Sequence, residues 1–358
     1  MNAQKLSDET WKQTHRPRHA NPIIRYAGEA LKNVYTSIVS LDYTDYAEGN
    51  SDEISITIAD QNKDFVGGFY PETGKDLDVS IEYYHWFKPE TKEIYHCGNF
   101  TLDDLTISDG PRQMVIKGVS QPANSEFRDT PRTRTWKETS LKTIAMEFMV
   151  TYGMAGTLYF HGADPVIKEL KQEEQSDSEF LKEACEKYGF CVKVYKLALV
   201  IYQKGPYEGR PPVKTYKGCT DWEPGWEWNR TLSGTYTGAK ISYTNPNKPK
   251  RRKKGEKPLP DIEVLVGTEG RLLYISETVE TEAEAIEVAK ARVNKANEQI
   301  ETLSFTTMFD PALVASATME VQELPMVEGK YFISQIRVSM SKSGLKMQVS
   351  AYKITQRI

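Results

Sequence analysis

The sequence predicts an α+β, mainly β protein in which two β regions flank a helix-containing insert. Three observations carry this. Apolar and polar residues alternate in several stretches toward both ends of the chain. Two capped amphipathic helices are written between those stretches. A hairpin pattern around Asp109 returns near the C-terminus around Lys342.

The β signals open the argument. In ISITI, Ile54, Ile56 and Ile58 alternate with Ser55 and Thr57, and in LDVSIEYY, Leu77, Val79, Ile81 and Tyr83 keep the same two-residue period. In FTLDDLTISDGPRQMVIKGV an Asp109-Gly110 turn separates Leu105 and Ile107 from Met114 and Ile116, because glycine accepts positive φ. Residues from about 24 to 125 therefore read as a small antiparallel barrel or sandwich. Laid over YFISQIRVSMSKSGLKMQVSAY at constant offset, Leu105 falls on Val338, Ile107 on Met340, Ser108 on Ser341, Met114 on Met347 and Ile116 on Val349. A duplicated unit and chance similarity of alternating strands both explain the overlay.

The helices come next. In SLKTIAMEFMVTYG, Leu141, Ile144, Ala145, Phe148 and Met149 form one stripe, with Gly153 as the stop. Its start is signed by Thr135 with Glu138, or equally by Thr139 or Ser140. The second helix opens on the capping box Ser176-Asp177-Ser178-Glu179, continues through Phe180, Leu181, Ala184 and Tyr188, and ends at Gly189. A helix of this length is marginal alone in water, so burial of the stripes is the larger stabilising term. Both helices read as packing elements without chemistry. Further on, LALVIYQ and TGAKISYTNP restore strands, and Thr281 with Glu284 caps a third helix with a stripe of Ile286, Ala289, Val293, Ala296 and Ile300.

Composition narrows the function classes. The chain has 358 residues, enough for two or three compact units, and 39% hydrophobic residues with no apolar run long enough to cross a bilayer. The N-terminal segment has no apolar signal region and holds His15, Arg16, Pro17, Arg18 and His19, an extended arm by its composition. Lys plus Arg is 46 against 50 acids, a net charge of -4 that does not point to a polyanionic partner. Cys97, Cys185, Cys191 and Cys219 show no C-x-x-C pairing and read as free thiols. Nucleophile-elbow, phosphate-loop, zinc-helix and dinucleotide motifs are missing, and the five histidines are scattered.

Three composition-biased stretches remain. DYTDYAEGNSDE, with Asp42, Asp45, Glu48 and Asp52, lacks the every-second-residue spacing of a calcium loop and reads as a solvated turn. DWEPGWEW gathers Trp222, Trp226 and Trp228, either a sugar-stacking surface or, more commonly, a buried corner or subunit contact. PNKPKRRKKGEKPLP carries seven basic residues from Lys248 to Lys257 among four prolines and must be an exposed loop. No aromatic platform or recognition helix accompanies it, so it reads as solvated or as a contact to an acidic neighbour rather than a nucleic-acid site.

The order R-T-x-T-W-K-x-T-S-L-x-x-I-A, then Q-S-D-x-x-F-L-x-x-A-x-x-Y-G-F, a strand pair, a helix, DPAL at 310–313 and GKYFISQIRVSMSKSG resembles the baseplate hub family of contractile phage tails. That family takes in late control protein D, the hubs of phage-tail-like bacteriocins and the N-terminal part of type VI secretion spike proteins. The match rests on Gln175, Ser176, Asp177, Phe180, Leu181 and Gly189, on Trp136, Leu141, Ile144 and Ala145, and on Gly329, Lys330 and Tyr331. Ala315 to Thr318 and the basic loop depart from the pattern. The resemblance implies two related tube-type antiparallel β-barrels per chain and a homotrimer of pseudo-sixfold symmetry joining a sixfold tail tube to a threefold spike. The implied partners are the central spike, tail tube, tape measure and other baseplate proteins, in a virion or tail-like particle assembled in the bacterial cytoplasm.

The expected organisation is an arm over 1–23, a first barrel over 24–128, an α/β insert over 129–215 and a second barrel over 216–358. The last carries the basic loop 246–260 and the helix near 281–300. Catalytic, cofactor and metal residues are not expected, nor membrane insertion or sequence-specific nucleic-acid binding. A cell-wall hydrolase and a glycan-binding tail component using Trp226 are the competing classes.

Overall fold

The computed structural model describes residues 17–30, 37–60, 71–120, 126–154, 156–195, 198–245 and 259–358. Residues 1–16 of the expected arm and 246–258 of the basic loop lie outside them.

The first region comprises β1 (His19–Tyr26), β2 (Glu29–Ala30), β3 (Ile38–Tyr46), β4 (Glu53–Ala59), β5 (Asp76–Tyr84), β6 (Lys92–Ser108) and β7 (Gln113–Val119). The alternation holds: Ile54, Ile56, Ile58, Leu77, Val79, Ile81 and Tyr83 are all buried. β1 opens at His19, inside the segment read as an arm, because Ile24 finds a buried place and the strand pairs with β5 along its whole length.

The insert follows, with α1 (Glu126–Asp129), β8 (Arg132–Ser140), α2 (Leu141–Thr151), β9 (Leu158–His161), β10 (Val166–Gln175), α3 (Asp177–Lys187), β11 (Phe190–Tyr195), β12 (Ala198–Gln203) and α4 (Lys204–Glu208). Of the three possible starts, Ser140 is the cap of α2, and the Thr135–Glu138 stretch is strand instead. The chain then gives β13 (Lys214–Lys217) and β14 (Glu227–Arg230), a small sheet of β15 (Gly238–Tyr243), β16 (Ile262–Gly267) and β17 (Leu272–Val279), and α5 (Glu282–Asn297). It finishes with β18 (Glu301–Met308), β19 (Thr318–Gln322), β20 (Gly329–Ser341) and β21 (Gly344–Lys353).

Among the described residues, main-chain hydrogen bonding does not close the two β regions into two separate barrels. One 13-stranded sheet runs β14-β18-β21-β20-β3-β4-β7-β6-β5-β1-β2, with β19 and β13 branching from β20. β3 and β20 are the joint, antiparallel from Gln335 opposite Tyr46 to Ser341 opposite Ser40. Each region lends the other an edge strand, and an edge so used is not available to close its own ring. Side chains draw the far ends of the sheet together: Trp86 Nε1 donates to Phe309 O at 2.7 Å, and Tyr83 and Tyr95 meet the Phe309 ring edge-on at 5.3 and 5.2 Å. One hydrophobic core results, shared by Leu41, Ile56 and Val79 from the first region and Phe305, Ile336 and Val349 from the last.

The hairpin overlay needs correcting. Ile107 faces Met114 as the pattern requires, but Met340 faces Leu345, and Met347 faces Val338. The first hairpin turns through Asp109–Arg112, between the paired Ser108 and Gln113. The second turns through Lys342 and Ser343 alone, with Gly344 at φ 107°. The shorter loop shifts the register by two residues, which preserves which face is apolar but not the pairing.

A second core lies in the insert. Trp136, Leu141, Phe148, Phe180, Leu181, Leu199 and Ile201 pack there together with Ala239, Ile241, Val288 and Val293. The helix near 281–300, grouped with the last β region in the sequence, thus contributes to this second core, as does the small sheet β15–β17. Its buried residues are Ala285, Val288, Ala289 and Val293, a stripe rotated from the expected one.

Candidate functional site

The helix pair is pinned at its ends. Ser176 Oγ accepts from Glu179 N at 3.3 Å and the Glu179 carboxylate accepts from Ser176 N at 3.2 Å, which completes the capping box. Asp177 is buried and accepts from Tyr152 OH at 2.6 Å and Gln172 Nε2 at 2.7 Å, which ties the end of α2 to the start of α3. Burial first, then the bond to Asp177, pushes the Tyr152 hydroxyl up to about 12. Gly189 turns the chain out of α3 at φ 74°. Trp136 stacks on Phe180 at 5.9 Å and meets Phe148 edge-on at 5.6 Å, while the Arg134 guanidinium covers its outer side. The motif residues are therefore caps, pins and core.

The acidic turn is not solvated. It is the plug by which the sheet receives the insert. Asp45 and Asp52 are buried and both pair with Lys193 of β11, the latter at 2.9 Å. Asp45 Oδ2 also accepts from Ala315 N at 2.9 Å, and Asp52 accepts from Tyr43 OH and Tyr46 N. Glu48 takes Lys204 at 2.5 Å, Lys295 of α5, and the Cys191 thiol at 2.7 Å. Lys204 also reaches Glu298 at 2.6 Å. On the same seam Glu208 accepts two bonds from Arg357, each 2.6 Å, and one from Tyr352 OH at 2.7 Å.

Burial sets the electrostatics of this seam. It pushes Asp52 up to about 6 against the pull of Lys193, with Asp45 adding to the rise. Burial acts the same way on Glu48, but Lys204, Lys295 and the bonds from Cys191 and Lys204 outweigh it and hold that carboxyl at about 2. Glu298 is raised, because burial exceeds the help of Lys204 and Lys295. Asp42 stands apart from the seam and pairs with Arg337 across the β3–β20 joint at 3.2 Å.

The tryptophan cluster is a packed corner. Trp222 is buried, stacks on Phe305 at 4.4 Å and meets Tyr216 and Trp226 edge-on. Of the histidines, His19 stacks on Tyr84 at 4.4 Å and lies 5.7 Å from His85, a proximity that their distance in sequence hides. Among the described residues no group of His, Cys, Asp and Glu is placed to hold a metal ion, and no helix is long and apolar enough to cross a membrane. Burial pushes the thiols of Cys97, Cys185 and Cys191 well up, so they are protonated and unreactive.

No family model and no curated protein matches the sequence. Solved structures do. A 43 kDa tail protein of prophage MuSo2 from Shewanella oneidensis aligns with TM-score 0.68 at 13% identity, over 93% of this chain and 98% of its own. A tail protein from Neisseria meningitidis aligns at 0.66 and 12%, over 94% and 97%. An E. coli component of the type VI secretion system, itself similar to phage T4 tail proteins gp27 and gp5, aligns at 0.56 and 11%, over 93% and 77%. Sheet, joint and insert together thus have the fold of phage tail proteins and of type VI spike-related components, the group that the Gln175–Gly189 motif resembles.

Proposed function

We propose that this protein is a non-enzymatic structural component of a contractile tail, the baseplate hub, acting as a homotrimer of pseudo-sixfold symmetry between the sixfold tube and the threefold spike. The observation that supports it most is the β3–β20 joint, which sets two β regions side by side in one sheet. Three such chains present six β regions around an axis, which is what a subunit needs in order to meet both symmetries. The tail-protein fold, common to chains aligned over nearly their whole length, supports the same reading. In it, the central spike sits on one face of the ring, tube subunits on the other, and the tape measure protein in the bore. The particle is a virion or tail-like assembly put together in the bacterial cytoplasm.

The test is electron microscopy of the protein co-expressed with its cognate spike and tube proteins. A threefold ring of tube diameter is expected, whereas a spike that assembles on the tube without this protein overturns the reading. Hydrolysis of purified cell wall, lost on mutating one acid pair, would favour the enzyme class. Sugar binding lost in Trp226→Ala would favour the glycan-binding class.

A further inference from the structure

The two cores of this protein are distinct clusters, and what lies between them is mostly charge. Asp45, Asp52, Lys204, Glu208 and Glu298 are all buried along the boundary. The apolar contact there is small: Ala47, Ala315, Phe332 and Tyr352, with Tyr207 and Ile354 against them. Among the described residues the main-chain ties are few and local, such as Gly49 N to Val192 O at 3.3 Å, supported by Tyr202 OH to Ala47 O at 2.7 Å. Open clefts of about 400 and 380 Å³ flank the seam, one under Leu181 and Val192 and one beside Gln299 and Ser350. A boundary that is polar and cleft on both sides lacks the broad apolar packing that welds two bodies into one.

We infer that the insert is a separate body latched to the sheet by three carboxylates of one turn, Asp45, Glu48 and Asp52, gripping Lys193, Lys204 and Lys295. Releasing the latch lets the insert pivot while both cores stay folded. Lys193 comes from β11 of the insert, Lys204 from the start of α4 and Lys295 from α5, so the one turn grips three elements of the moving body. Removing Lys193 takes the cation from two buried carboxylates, Asp45 and Asp52, and the arrangement relieves this most readily by opening the seam to water. The inference does not depend on the tail role proposed above.

Spin labels at Val150→Cys on the insert and Met326→Cys on the sheet side, in a Cys219→Ser background, report the distance between the bodies. Both sites are well exposed, and the other three thiols are buried. The parent should give one narrow distance. Lys193→Met, and the milder Glu48→Gln, should broaden it or add a second population, while Arg112→Met, which breaks the Arg112–Asp60 pair inside the sheet, should not. In the latch variants, hydrogen exchange should accelerate at least tenfold at the amide of Gly49, which bonds across the seam to Val192 O, but not at those of Ile333 and Phe180, which bond within their own bodies. An unchanged single distance in both latch variants overturns the inference. So does equal broadening in Arg112→Met, or exchange that accelerates across both cores together.

Discussion

Two junctions hold this molecule together, and they are built from opposite materials. At the β3–β20 joint the chain uses a seven-pair main-chain ladder over a dry face, with Leu41 opposite Met340 and Tyr43 opposite Val338, all buried. At the seam with the insert it uses acids and lysines. The first junction gains from every residue added to the ladder and tolerates no opening without exposing the shared core. The second is specific in its pairing, yet its charges gain little over being hydrated, so it fixes position more than it adds stability. A subunit built this way has one rigid continuous sheet and one appendage whose attachment can be tuned separately.

How much of this was legible in the sequence follows the same division. Strands such as ISITI and the capped helix at Ser176 were readable because their signals are local: period two, a capping box, a glycine stop. The joint was not, because no local pattern tells an edge strand which other edge it will meet. Nor was the role of the acidic turn. Asp45, Glu48 and Asp52 look solvated until the chain brings Lys193, Lys204 and Lys295 to them from roughly 140 to 250 residues away. Similarly, the third helix was recognised by its cap at Thr281, while the body it packs on depended on contacts between Val288, Val293 and the core of α2 and α3.

The largest expected effect falls on the dry joint. Leu41 is fully buried, and Leu41→Ala should cost about 4 kcal/mol, since cavity and transfer terms add at a site framed by the main-chain ladder on both sides. Denaturant unfolding should show the loss in a single transition shared by both β regions. Separate transitions for the front and rear strands would break the claim that they have one core.

Next comes the ionic seam. Lys204→Met removes a cation held between Glu48 and Glu298, and a loss of about 3 kcal/mol is expected, at the low end for a broken buried pair because Lys295 still faces Glu48. The double variant with Leu41→Ala sharpens the contrast. Losses that simply add in thermal unfolding would show the two junctions to be energetically independent, and a large coupling would contradict it.

Protonation should then distinguish the acids of the seam from one another. Asp52 is raised from its ordinary 3.8 to about 6, so its contribution is fully present below pH 3.8 and is lost as pH rises through 6. Glu48, lowered from 4.5 to about 2, behaves the other way: its contribution is present above pH 4.5 and is lost as pH falls toward 2. Comparing Tm against pH for the parent with Asp52→Asn should therefore show the parent gaining on the variant between pH 7 and 4. A parallel pair of curves would mean that Asp52 is not held by burial among Lys193, Asp45 and Tyr43.

The smallest effect tests a site that belongs to neither junction. Ser176→Ala deletes the side-chain half of the capping box, leaving Glu179 N without its acceptor, and should cost about 1 kcal/mol. The Glu179 carboxylate still reaches the Ser176 main-chain N–H, so the reciprocal bond survives and limits the loss. Exchange should quicken at the first turn of α3 and leave the amide of Gly49 untouched, because Ser176 is buried and the cap bonds stay within that turn. Quickening at the Gly49 amide as well would mean that fraying of α3 reaches the latch through Lys182, whose ammonium stem lies beside Gly49. The appendage and its attachment would then be one mechanical unit, and the division between a dry joint and a tunable seam would have to be redrawn around α3.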